Sequence, residues 1–238
     1  MYGVTFANKH SYKDWKLITK SRPEIGSPSP KTNYIDIPEA DGKLDLTESL
    51  SGEVKYDNRK ITLEFTVIEA RERWTSIYST IMNYLHGQKV RLILDEDPNH
   101  YYWGRFEIDE WKSDKRTSTL TITGDVDPYK YDLFSSLEDW KWDTFNFETD
   151  VIREYKNIEV DGQRSFVVHG SRMSYVPSFI VHSTDGQGMK VRWYNSQVYD
   201  LQDGTNRIVN IVIKGESGTT LTFEGHGTVS IDYKGGSL

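Results

Sequence analysis

The feature that most constrains the fold is a short alternation. In RKITLEFTV, residues 59–67, Ile61, Leu63, Phe65 and Val67 fall on every second position, with Thr62, Glu64 and Thr66 between them. Successive side chains of a β-strand point to opposite faces, so this run is a strand with one apolar and one solvated face. A helix would scatter the same four residues around its circumference. Strand character recurs at residues 4–6, 15–18, 34–37, 44–47, 90–94, 101–111 and 117–123. Val54 and Tyr56 lead into Asp57-Asn58, which predicts a hairpin joining the 44–56 stretch to the strand at 61–67. Ser113-Asp114-Lys115 predicts a second hairpin, between 101–111 and 117–123.

One segment breaks the two-residue period. In RERWTSIYSTIMNYLHG, residues 71–87, Trp74, Ile77, Tyr78, Ile81, Tyr84 and Leu85 form one stripe of an amphipathic helix, and Gly87 is placed to end it. A lone helix among strands covers an open face or edge of the sheet. RPEIGSPSPKTN, residues 22–33, carries three prolines, which donate nothing to a ladder, and reads as an exposed extended loop. Residues 132–150 hold six acidic side chains against one basic, with Trp140 and Trp142 among them. This composition shift places a first domain at 1–134, a linker at 135–145 and a second domain at 146–238. In the second, short β runs at 165–169, 178–182, 190–194, 207–214, 219–223 and 228–233 are punctuated by turn signals such as DG, GQG and DGT. That spacing predicts a β-sandwich or jelly roll. The expected class is mainly β, in two domains: an N-terminal β-sandwich or split barrel with one α-helix, then a C-terminal sandwich.

The 238 residues include no cysteine, which removes disulfides, thiolate metal sites and a cysteine nucleophile. The net charge is −7 and no basic run is present, which argues against a grip on nucleic acid. Residues 1–131 hold 19 basic and 21 acidic side chains, so most of the excess lies beyond them. No apolar leader opens the chain, and no window approaches the ~18 apolar residues of a membrane-crossing helix. Synthesis in a cytoplasm is the expectation.

Motifs of catalysis are missing. Walker, HExxH, GxSxG and GxGxxG patterns do not occur. GESGT at 215–219 reads as a turn. The six histidines are scattered, without metal-ligand spacing. DEDPNH at 95–100 clusters oxygen ligands but lacks the spacing and glycine of a calcium loop, so it too reads as a turn. Glu107, Asp109 and Glu110 are most simply the solvated face of a strand. Trp193, Tyr194 and Tyr199 could stack on sugar rings if exposed, but alternation turns only one of Trp193 and Tyr194 outward. No cofactor or metal is expected, and an assembly or binding protein is a better reading than an enzyme.

Several segments together resemble the Dit-type distal tail proteins of siphophages. PKTNYIDIPEADGKLDLTESLSGEVKYDNRKITLEF, residues 30–65, has that family's strand ending in Pro, D-G turn, LDLT strand and Y-x-N-R turn. GVTFANKHSYKDWKLI resembles its opening, DPYKY at 127–131 its end-of-domain segment, and GTVSIDYKGGSL its C-terminus. The resemblance is strongest over 1–131 and weaker over 150–227.

The resemblance implies a virion structural protein, free of catalysis. Six copies would form a ring at the tail tip or baseplate, joining the tail tube protein to the tail-associated hub protein, with DNA passing through the centre. The outer domain would be galectin-like or carbohydrate-module-like, carrying a receptor-binding protein or touching a host saccharide. Candidates for the ring contact are the Pro-rich loop and the stretch after it: Pro23, Pro28, Pro30, Asp41, Gly42, Leu44 and Leu46. The alternative reading is a carbohydrate-binding protein using Trp193, Tyr194 or Tyr199.

Overall fold

The computed structural model describes residues 3–137, 155–194, 197–215 and 218–238. Trp140, Trp142 and most of the expected linker lie outside the described residues, as do Glu216 and Ser217 of GESGT. The chain divides into two units, Met1–Lys130 and Tyr131–Ser237, each with its own apolar core. Ser136 belongs to the second: its hydroxyl donates to the Ile231 carbonyl at 2.7 Å and accepts from the Tyr233 N–H at 2.9 Å.

In the first unit the order is β1 (Val4–Phe6), β2 (Lys9–His10), α1 (Ser11–Trp15), β3 (Leu17–Thr19), β4 (Glu24–Ile25), β5 (Tyr34–Asp36), β6 (Lys43–Asp45) and β7 (Arg59–Val67). A turn of 3-10 helix at Arg71–Arg73 leads into α2 (Trp74–Leu85), followed by β8 (Gln88–Leu94), β9 (Asp97–Ser113) and β10 (Ser118–Val126). The main sheet runs β2-β1-β8-β9-β10-β7-β3, antiparallel throughout, with β4 also on β7. In a flat sheet β1 and β3 would lie five strand spacings apart, about 24 Å. Yet Trp15, two residues before β3, brings its ring to 5.9 Å from Phe6 on β1. The sheet therefore curls until its ends meet, and α1 closes the seam. Inside lie Ile61, Leu63, Phe65 and Val67, the four residues of the opening alternation.

The helix stands where its stripe predicts. Trp74, Ile81 and Leu85 are buried, and Ile77, Tyr78 and Tyr84 pack on the same core. Tyr78 stacks on Trp111 of β9 at 4.3 Å. Gly87 takes a left-handed φ of 75° but donates to the Phe106 carbonyl rather than back into the helix. Residues 11–15, partly assigned to a strand by the sequence, form the short helix α1 instead. The His10 ring accepts from the Tyr12 and Lys13 N–H groups, and Asp14 accepts from the His10 N–H at 2.8 Å. This is a reciprocal cap too local to show as a period.

In the second unit β11 (Lys130–Asp132) leads through β12 (Ile158–Val168), β13 (Ser178–Ser183), β14 (Met189–Trp193), β15 (Gln197–Leu201), β16 (Gly204–Arg207) and β17 (Thr219–Asp232) to β18 (Gly236–Ser237). Strand β17 pairs along its length with β12, while its other edge takes β14 at residues 221–225 and β13 at 227–232. Phe179 pairs with Ile231, eight residues along β17 from Phe223, about 26 Å in a straight strand. The Phe179 and Phe223 rings nevertheless meet at 5.7 Å. The sheet is folded over between them, at Gly225 and Gly227, where φ is 140° at both. One folded sheet thus makes both layers of the sandwich. The sequence runs at 219–223 and 228–233 are two halves of one strand, because EGHG bends it without ending it. The run at 207–214 is not a strand: β16 ends at Arg207, and Ile213 makes only a bridge to Tyr175.

Candidate assembly surface

Between β4 and β7 the chain leaves the barrel as an arm and returns to it at Tyr56. Strands β5 and β6 pair only with each other, Tyr34 with Asp45, Ile35 with Leu44 and Asp36 with Lys43. Every residue from 29 to 45 is exposed. The apolar side chains Tyr34 (52 % exposed), Ile35, Ile37, Leu44 and Leu50 (96 %) stand in solvent. This corrects the expected hairpin between 44–56 and 61–67: Tyr56 bridges to Pro30, and β7 takes β10 and β3 as its neighbours. Alternation marks a strand but does not name its partner.

Two of the quoted motifs meet at the root of this arm. Arg59, buried, donates to the Pro128 carbonyl and sits 5.8 Å from the Tyr102 ring. Burial pushes the Arg59 guanidinium below its usual range. Tyr56 meets Tyr129 edge to face at 6.1 Å. Y-x-N-R and DPYKY are therefore two sides of one clasp, and their role is mechanical. Close by in sequence, Asp97 takes His100 Nδ1 at 2.5 Å and Lys130 Nζ at 2.8 Å. Burial would raise the Asp97 carboxyl, but hydrogen bonds from Lys130 and His100 outweigh it and hold the group below the ordinary 3.8.

The other sequence candidates separate. Pro30, Asp41, Gly42 and Leu44 are exposed on the arm, while Leu46, Pro23 and Pro28 are half-buried. Gly42 has a φ of 77° in the turn between β5 and β6. Trp193 and Tyr199 pack against the second core, leaving Tyr194, 73 % exposed, as the outward ring. The Trp193 and Tyr194 rings meet edge to face at 5.3 Å. Glu107, Asp109 and Glu110 are exposed on β9. Among the described residues no group of three or more His, Asp or Glu is placed to hold a metal ion. A tyrosine cluster at the end of β12 carries no signal in the sequence. There the Tyr175 and Tyr233 hydroxyls both donate to the His169 carbonyl, at 2.9 and 3.1 Å, and their rings stack at 4.2 Å.

A curled barrel with a projecting arm, followed by a folded-sheet sandwich, makes a mainly β architecture in two units. A similar fold occurs in the crystal structure of SPP1 Dit (gp 19.1), described as a paradigm of the hub adsorption apparatus in phages that infect Gram-positive bacteria. The two superpose with a TM-score of 0.66 over all of both chains, at 12% sequence identity, so the fold is shared. No family model matches the sequence, and no curated protein does.

Proposed function

We propose that this chain is a structural component of a phage tail tip, present in the virion, that closes into a hexameric ring. In this reading the ring joins the tail tube protein to the hub, and DNA passes through its centre at ejection. The observation that carries it is the β5–β6 arm, a two-stranded sheet with apolar side chains in solvent and no partner strand of its own. Isolated two-stranded hairpins are marginal in water, so such an arm acquires its stability from a neighbour. A ring closes by a head-to-tail contact in which each protomer offers two different surfaces, one of them an arm. The whole-chain likeness to SPP1 Dit supports the same reading.

Light scattering on a size-exclusion column, with negative-stain images of the peak, tests it. Six chains of 27.6 kDa give about 166 kDa and a particle with a central hole. A chain that stays monomeric in solution, and stays so when mixed with tube and hub proteins, would remove the ring.

A further inference from the structure

The arm is charged as well as apolar. Over residues 34–50 it carries Asp36, Glu39, Asp41, Asp45 and Glu48 against Lys43 alone. Lys43 is spent on Asp36 at 3.5 Å. At the tip, Glu39 and Asp41 are exposed and make no ion pair. Most exposed basic side chains of the first unit already face a carboxylate, as Lys20 faces Glu64, Arg22 Glu96, Arg73 Glu69 and Lys112 Glu110. Lys13, Lys60, Arg71, Arg91 and Arg105 are exposed singly without an ion pair among the described residues, and Lys115 and Arg116, in the β9–β10 turn, differ in being adjacent. Among the described residues of the unit they are the one sequence-adjacent basic pair that is exposed and without an ion pair. Asp114, itself exposed, accepts within the loop from the Arg116 and Thr117 N–H groups and the Thr117 hydroxyl, so the turn keeps one net positive charge with both basic side chains unpaired.

The two features lie at opposite ends of one strand. The arm is rooted at the Arg59 end of β7, where Gly26 donates to Lys60 and Asp57 to Ser29. The basic turn lies at the Val67 end, since Thr66 pairs with Thr119. Nine residues of β7 separate them, about 26 Å. A head-to-tail contact requires two unlike, complementary surfaces, and here the root of the acidic arm and the basic turn stand at opposite ends of β7. We infer that the acidic tip of the β5–β6 arm of one copy docks on the Lys115-Arg116 turn of the next. The inference rests on the ring reading and names the partner surface that reading leaves open. Apolar contacts of Ile35, Ile37 and Leu44 supply the burial, and the charges select the register.

Charge reversal in the full chain tests it. One variant carries Glu39→Lys and Asp41→Lys, the other Lys115→Glu and Arg116→Glu. Each alone should assemble at least ~tenfold more weakly at low salt, with unchanged thermal unfolding. An equimolar mixture should regain the wild-type particle, because alternating copies place every reversed tip on a reversed turn. A variant that assembles like wild type, or a mixture no better than its components, overturns the contact. Because the chain lacks cysteine, mixing Asp41→Cys with Arg116→Cys gives a second readout. Disulfide-linked dimers holding one of each variant support the contact, and their absence removes it. Rings that ignore charge reversal leave the ring reading standing. A wild-type chain giving neither ring nor cross-link removes both.

Discussion

A β-carbon at Gly227 would collide with the His182 carbonyl, and its φ of 140° suits no other residue. This glycine lets β17 fold over, so Gly227→Ala should destabilise the second unit by about 1–3 kcal/mol, read by urea unfolding. EGHG is visible in the sequence, but a turn and a bent strand use glycine alike, which is why the run was divided. Asp97 makes a second prediction. Its carboxyl is held below 3.8 in the fold, so the stability it contributes is present above that value and lost as pH falls through the lower, folded one. Asp97→Asn should melt at lower temperature at neutral pH, by roughly 0.5–1.5 kcal/mol of stability, with the gap closing in acid below 3.8. The tyrosines at His169 were illegible in sequence because Tyr175 and Tyr233 meet only through the fold.

At the scale of elements, strands with one buried face were legible and the exposed arm was not. The alternations at 61–67, 101–111 and 117–123 are set by core burial, so pattern and structure agree. Leu44 and Leu46 alternate equally well, but β6 pairs in solvent with β5, and no core fixes its register. The structure also moves the useful deletion. Trimming 23–31 would take β4 off β7, whereas replacing 32–55 with a short Gly-Ser link removes the arm above its root. That variant should keep the thermal midpoint of the barrel and lose ring formation by light scattering. A barrel that unfolds without the arm would show the arm belongs to the core after all. Arg59→Ala should act on the clasp from inside, costing about 1–3 kcal/mol by leaving the Pro128 carbonyl without its donor.

Across the whole molecule, the two units have separate apolar cores. If the arm and its partner surface both lie in Met1–Lys130, that unit alone should form the ring, while Tyr131–Ser237 alone should remain monomeric. Separate expression and light scattering of the two would check it. The mainly β class was readable from composition and period. The particular architecture was not, because strand order depends on contacts far apart in sequence. Strand β17 draws out one such dependence. It is the spine of the second unit, touching β12, β13 and β14, yet it is nearly the last strand of that unit to be made. Pairing Ile158 with Val229 closes a long loop, a slow step that must wait for the end of synthesis. In the first unit the path from β2 to β3 is complete once β10 has been made. On the ribosome, then, the barrel of the first unit has the chance to fold before the sandwich of the second exists.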